Sequence, residues 1–213
     1  MPAAAEPNDL ELAALMSSKI CHDVIGPVGA IYNGLEVLDE DDDAETQAFA
    51  LHEIRSFTEQ ASAKLQFARF AFGVAGGIGA VLDLSEAEKV ARGFVESAKH
   101  KLVWAAPRGH LAKNHAKLLL NLVASALAAL PRGGAIEVRV EGELSNPALA
   151  VCCSGEGARA PRYLPDFIAG HFGDGIDALS VQAYYTCRLA RSAGLVLTIE
   201  QADGNVVLRA TPR

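Results

Sequence analysis

Two apolar stripes at helical spacing, separated by a short acidic run, constrain the first third of this 213-residue chain. Leu12, Met16, Ile20, Val24, Val28, Ile31, Leu35 and Leu38 step by 4, 4, 4, 4, 3, 4 and 3 residues, and Ala50, Ile54, Phe57, Ala61, Leu65, Ala68 and Phe72 by 4, 3, 4, 4, 3 and 4. Both follow the 3.6-residue period of an amphipathic helix. Between them, Asp39-Glu40-Asp41-Asp42-Asp43 reads as a solvated turn whose carboxylates suit the N-terminus of the second helix. So short a connection makes an antiparallel helical hairpin. Two helices cannot bury wide apolar stripes against each other alone, so the hairpin is expected to pair with a second copy into a four-helix bundle, making the protein a homodimer with one His22 per protomer.

His22 lies off the first seam. At about 100° per residue it sits roughly 200° from both Ile20 and Val24, so its imidazole is expected to face water or a partner. Ser18, Lys19, Ile25, Gly26 and Gly29 share its face by the spacings of a helix surface. Pro27 has no N–H, so the carbonyl of Asp23 loses its helical donor and the helix is expected to bend or loosen directly below the histidine. Gly26, Gly29 and Gly34 each cost about 1 kcal/mol against Ala in a helix interior. A helix that needed only stability would not concentrate four weak formers beside one exposed histidine.

The run Gly73-Val74-Ala75-Gly76-Gly77-Ile78-Gly79 breaks both periodicities and divides the chain into a helical part, residues 1–73, and a second part, residues 74–213. In the second part, residues 80–84 and 101–105 read as strands flanking a helix opened by a capping box of Ser85 with Glu88. Residues 111–130 read as a long apolar helix stopped by Pro131-Arg132-Gly133-Gly134, and 136–141 and 149–153 as neighbouring strands. Residues 180–193 read as a further helix, and 195–200 with 206–210 as a closing hairpin turned by Asp203-Gly204-Asn205. The expected class is α+β, a helical hairpin followed by an α/β sandwich.

The run His22–Leu38, HDVIGPVGAIYNGLEVL, resembles the H-box of two-component histidine kinases, in which a histidine followed by an acid starts a phosphorylatable helix with a proline further along. Residues 80–213 resemble the Bergerat, or GHKL, nucleotide-binding domain of those kinases, with three departures. In the run Asn121-Leu122-Val123-Ala124-Ser125-Ala126, the family's second, magnesium-holding Asn falls on Ser125, a shorter and weaker ligand for a hard cation. In Cys153-Ser154-Gly155-Glu156-Gly157, the family's adenine-reading Asp falls on Cys153, which cannot accept as a carboxylate does. In Gly173-Asp174-Gly175-Ile176-Asp177-Ala178-Leu179, the glycine-rich phosphate loop carries Asp174 and Asp177, which would repel a triphosphate. The domain reads as an ATPase fold that has lost ATP.

A phosphoacceptor hairpin joined to such a domain is similar to the histidine phosphotransferases of the ChpT type from the alphaproteobacterial cell-cycle phosphorelay, over nearly the whole chain. That resemblance implies a cytoplasmic homodimer that takes phosphoryl groups from the receiver domain of a CckA-type hybrid histidine kinase and passes them to CtrA-type and CpdR-type response regulators. It implies His22 as the nucleophile, Asp23 as a group orienting the imidazole, and Ser18, Lys19, Ile25, Gly26 and Gly29 as the docking face, with Lys19 near the phosphoryl group. No cofactor of its own is expected, the magnesium coming with the receiver. In related kinases a polar residue four positions after the histidine orients a water for dephosphorylation; Gly26 stands there, so little phosphatase activity is expected. Two further readings stay open: an ATP-dependent histidine kinase, and a non-catalytic adaptor of receiver domains.

Other features exclude rather than assign. Cys21, Cys152, Cys153 and Cys187 have no metal-ligand spacing and read as ordinary thiols. A formal net charge of −7 disfavours nucleic acid as a partner. The chain shows neither a leader pattern nor an apolar run long enough to span a bilayer, so no membrane association is expected. The locally basic stretch with Lys99, His100, Lys101, Arg108, His110, Lys113, His115 and Lys117 reads as a solvated face, with an auxiliary docking patch as its functional alternative.

Overall fold

The computed structural model describes residues 6–73, 80–97, 99–173 and 175–213. Most of the glycine cluster expected to divide the chain, residues 74–79, lies outside the described residues, as does Asp174 of the glycine loop.

The hairpin consists of α1 (Asp9–Glu40) and α2 (Ala44–Ala71). A capping box starts α1: Asn8 Oδ1 accepts from the N–H groups of Leu10 and Glu11 at 3.0 Å, and Glu11 Oε2 accepts from Asn8 N–H at 2.9 Å. Asp43, the last of the acidic run, caps α2 by accepting from Thr46 N–H at 2.9 Å. Along α1, Met16 and Pro27 are buried and Ile20, Val24, Ile31, Gly34 and Leu38 half-buried, and at Gly34 the helices approach so closely that an added Cβ would lie 2.7 Å from Ile54 Cγ1 of α2. Val28 and Leu35, read as part of that seam, turn out of it and are about half exposed, because Pro27 and Gly34 take the positions facing α2. α1 is a continuous helix through Pro27.

The second part orders as β1 (Val81–Asp83), α3 (Leu84–Val95), β2 (His100–Ala105), β3 (His110–Ala112), α4 (Lys113–Ala129), β4 (Gly134–Glu141), β5 (Ala148–Ser154), α5 (Leu164–Ile168), α6 (Val181–Ser192), β6 (Leu195–Ala202) and β7 (Asn205–Pro212). Its main sheet has the order β2-β4-β5-β7-β6, parallel between β2 and β4 and antiparallel elsewhere; β1 and β3 form a separate antiparallel pair. Ile136, Val138 and Val140 face the helices, while Glu137 and Arg139 pair on the opposite face. Asp203 and Gly204, with φ of 49° and 73°, make the tight turn between β6 and β7, the primed geometry that suits a twisted hairpin.

Three readings shift. The cap of α3 is Asp83, whose carboxylate accepts from Ser85 N–H at 2.8 Å, and not Ser85; Glu88 pairs instead with Arg92 one turn on. Leu111 belongs to β3, so the long helix begins at Lys113, two residues later than its apolar run. The basic stretch does not form one face, since His115 and Lys117 point inward, Lys117 donating to the Phe72 carbonyl at 3.3 Å.

Helix α4 is largely apolar because most of it is buried, by the sheet, α3, α6 and the end of α2, with Asn114 and Ala128 left exposed. Phe67, Phe70 and Ala71 of α2 join this core, and the Phe67 ring stacks on Phe94 of α3 with centroids 3.8 Å apart and planes 15° apart. The last turns of the hairpin are thus anchored in the sandwich.

Candidate active site

His22 projects from the middle of α1 with its side chain 69% exposed, as the periodicity requires. Around it Ser18, Ile25, Gly26 and Gly29 are also exposed, and an added Cβ at either glycine would meet nothing within 4 Å. These residues form one face with room for another molecule to approach the imidazole. Lys19 is less open: its ammonium bonds the Asp23 carboxylate one turn on, and its side chain is 22% exposed.

Asp23 therefore does not hold the imidazole. Its Oδ1 lies 3.9 Å from His22 Nδ1, beyond hydrogen-bond reach, and its other carboxylate oxygen is taken by Lys19. Its backbone carbonyl, deprived of a donor by Pro27, accepts instead from Lys64 Nζ of α2 at 2.9 Å. This bond gives the Asp23 carbonyl the donor that the helix cannot supply. The sequence carried one trace of Lys64's role: it stands three residues after Ala61 and four before Ala68, on the apolar stripe of α2, where a lysine needs a reason. Beside these residues a cavity of about 420 Å³ opens between hairpin and sandwich, lined by Lys19, Asp23, Lys64, Phe67, Phe94 and Gln182 among others.

At the nucleotide-motif positions the side chains are engaged within the protein. Asn121 is fully buried and donates through Nδ2 to the carbonyls of Lys117, at 2.9 Å, and Ala71, at 3.1 Å, the latter the last residue of α2. Ser125 donates back to the Asn121 carbonyl at 2.9 Å. Gln182 of α6, which no sequence motif singles out, reaches in to donate to that carbonyl at 3.0 Å and lies 3.4 Å from Ser125 Oγ. Cys153 is buried in β5 between β4 and β7, and burial pushes its thiol up to about 12, so it is neutral. Asp177 accepts from the Ser180 N–H and hydroxyl at 2.8 and 2.7 Å, bonds that hold its carboxyl below the ordinary range.

A helical hairpin that displays a histidine, fused to an α/β sandwich, is the class of molecule that the motif resemblance anticipates. Residues 84–205 match the family model of the histidine phosphotransferase C-terminal domain. Protein phosphotransferase ChpT of Brucella abortus (strain 2308) is 43% identical over 205 residues, which cover 94% of this chain and 95% of that protein. A solved structure of a bacterial phosphotransferase superposes with a TM-score of 0.90 at 39% identity, over 98% of this chain and 99% of that one. The chain belongs to the histidine phosphotransferase family and is a phosphotransferase. Among the described residues no helix is long and apolar enough to cross a membrane.

Proposed function

We propose that the protein is a cytoplasmic, homodimeric relay that moves phosphoryl groups between receiver-domain aspartates through a phosphohistidine at His22. The observation that carries this reading is the exposed imidazole at the centre of an open face that ends in two unobstructed glycines. A lone pair of the neutral imidazole attacks the phosphorus of a receiver's aspartyl phosphate. The N–P bond forms as the P–O bond breaks, the aspartate carboxylate leaves, and the ring proton passes to solvent. The reverse step loads the next receiver. Transfer of this kind is mainly positioning and charge stabilisation, and the receiver brings its own magnesium to the reacting oxygens.

Ser18, Ile25, Gly26 and Gly29 form the docking face, and Lys19 and Asp23 border it as an ion pair. Gly26 offers no side chain to orient a water, so hydrolysis of the receiver's phosphate is slow. The donor is the receiver of a CckA-type hybrid kinase, and the acceptors are CtrA-type and CpdR-type regulators of a cell-cycle phosphorelay. The dimer reading rests on Val28, Tyr32 and Leu35, which step by 4 and 3 residues along α1 and are 49%, 62% and 48% exposed in the single chain. A receiver and not ATP is taken as the phosphoryl source, since Asn121 and Ser125 are bonded within the protein and contacted by Gln182, and Cys153 presents no carboxylate.

The test mixes the protein with magnesium and a receiver domain carrying labelled aspartyl phosphate, beside His22→Ala, and follows acid-labile label on both chains. Wild type should acquire label and His22→Ala none, while both sediment as dimers. Label acquired from ATP in place of the receiver would restore the kinase reading, and label on neither chain would make the protein an adaptor.

A further inference from the structure

We propose that Lys64 is a positioning residue for phosphotransfer, standing in for the N–H that Pro27 lacks and so fixing the helical turn that bears His22. The proposal rests on His22 being the phosphoacceptor, and on one geometric fact: Lys64 Nζ lies 2.9 Å from the Asp23 carbonyl, the acceptor that residue 27 would satisfy if it were not proline.

Asp23, next to the reacting residue, is held at both ends. Lys19 binds its carboxylate from one turn earlier in α1, and Lys64 binds its carbonyl from the opposite helix, 41 residues away in sequence. Of these two contacts, only the second ties the histidine's turn to α2. The proline has a consequence here that a regular helix would not: it hands control of this carbonyl to another element, so the orientation of the turn is set by the packing of the hairpin and not by α1 alone. A partly buried carbonyl left without a donor is unfavourable and favours a rearranged turn. In-line transfer tolerates little misplacement, and an error of about 1 Å can cost up to a hundredfold in rate. A long lysine on a helix stripe could equally serve only to cover apolar surface, or to attract an acidic receiver. Those alternatives make different predictions.

The experiment compares wild type, Lys64→Met, Lys64→Arg, Pro27→Ala and the double variant Lys64→Met/Pro27→Ala, with His22→Ala as the blank. Transfer from a phosphorylated receiver is measured across receiver concentrations, and amide exchange is followed over residues 20–27. Lys64→Met should lower the saturating rate constant about tenfold, leave the half-saturating receiver concentration unchanged, and speed exchange over residues 20–27. Lys64→Arg should retain most of the rate. In the double variant the backbone at position 27 supplies its own N–H to Asp23, so rate and exchange should return to within about twofold of Pro27→Ala alone. A Lys64→Met protein that transfers at the wild-type rate, one that only weakens receiver binding, or a double variant that is not rescued would each overturn the proposal. Global loss of fold cannot imitate it, because the rescue adds a backbone donor at position 27 and nothing at position 64. If wild type itself takes no label, the phosphoacceptor reading fails, while the exchange data still decide whether Lys64 holds the turn.

Discussion

Helices α1 and α4 carry the two motif stretches of this chain and treat their polar groups in opposite ways. On α1 the imidazole of His22 is exposed, flanked by glycines whose missing side chains leave open space, and the groups beneath it are fixed by lysines. On α4 Asn121 and Ser125 are buried and bonded to backbone and to Gln182. One architecture thus holds a reactive group on one helix and a structural network on another. In α1 stability is given up locally, through Gly26, Pro27 and Gly29, to present a side chain; in α4 residue types suited to a ligand site instead join the hairpin to the sandwich.

Restoring one of the lost nucleotide residues should break that contrast if it is wrong. Cys153→Asp returns the family's carboxylate to β5, where the native thiol is 1% exposed in the core between β4 and β7. An unpartnered carboxyl there should cost on the order of 3 kcal/mol or more and should bring no nucleotide affinity. Chemical denaturation and ATP titration by calorimetry test the two halves. A variant as stable as wild type that binds ATP would show that the second domain still holds a nucleotide site.

Asn121→Ala tests the junction next. It removes the side-chain donor to the Ala71 carbonyl at the end of α2, while Gln182 keeps its bond to the backbone carbonyl of residue 121, so the loss falls on the link between hairpin and sandwich. We expect a loss of about 2 kcal/mol in denaturant unfolding, with His22 still labelled by a receiver. A change within about 0.5 kcal/mol would mean that the apolar packing of Phe67 and Ala71 alone holds the hairpin to the sandwich.

The legibility of the chain follows the same division. Helical periodicity gave α1, α2 and the exposure of His22, because a face set by residue spacing needs no knowledge of the partner surface. The β6–β7 turn at Asp203-Gly204 was equally plain, since its backbone geometry selects its residues. Features that depend on contacts across the chain were not. Lys19 reads as a free neighbour of His22 by spacing alone, whereas in the structure its ammonium is paired with Asp23 four residues on. Lys64 and Gln182 act at 41 and 61 residues' separation, which no local pattern encodes. The α3 cap slipped by two residues because Ser85-x-x-Glu88 is a valid box; Asp83 supplies the stronger acceptor, and Arg92 claims Glu88. The 3-residue strand β3 lies below the length at which alternation is detectable, whereas β1 falls within the strand read over residues 80–84.

The smallest effect concerns Asp177, which a nucleotide-centred reading makes a repeller of phosphate and the structure makes the cap of the turn into α6. Its carboxylate accepts from Leu179 N–H at 3.0 Å as well as from Ser180. Asn caps as well as Asp, whereas Ala does not, so Asp177→Ala should lose about 1 kcal/mol and Asp177→Asn only a few tenths. The pH dependence separates the two further. The folded-state carboxyl titrates below its ordinary value of 3.8, held there by the Ser180 bonds, so its stabilisation is present above that value and is lost as the pH falls through the lowered one. Asp177→Asn should therefore flatten the acid limb of the stability curve below about pH 4 and leave neutral stability nearly intact. Were the residue there only to exclude phosphate, Asp177→Ala and Asp177→Asn would be equally stable and the acid limb unchanged in both.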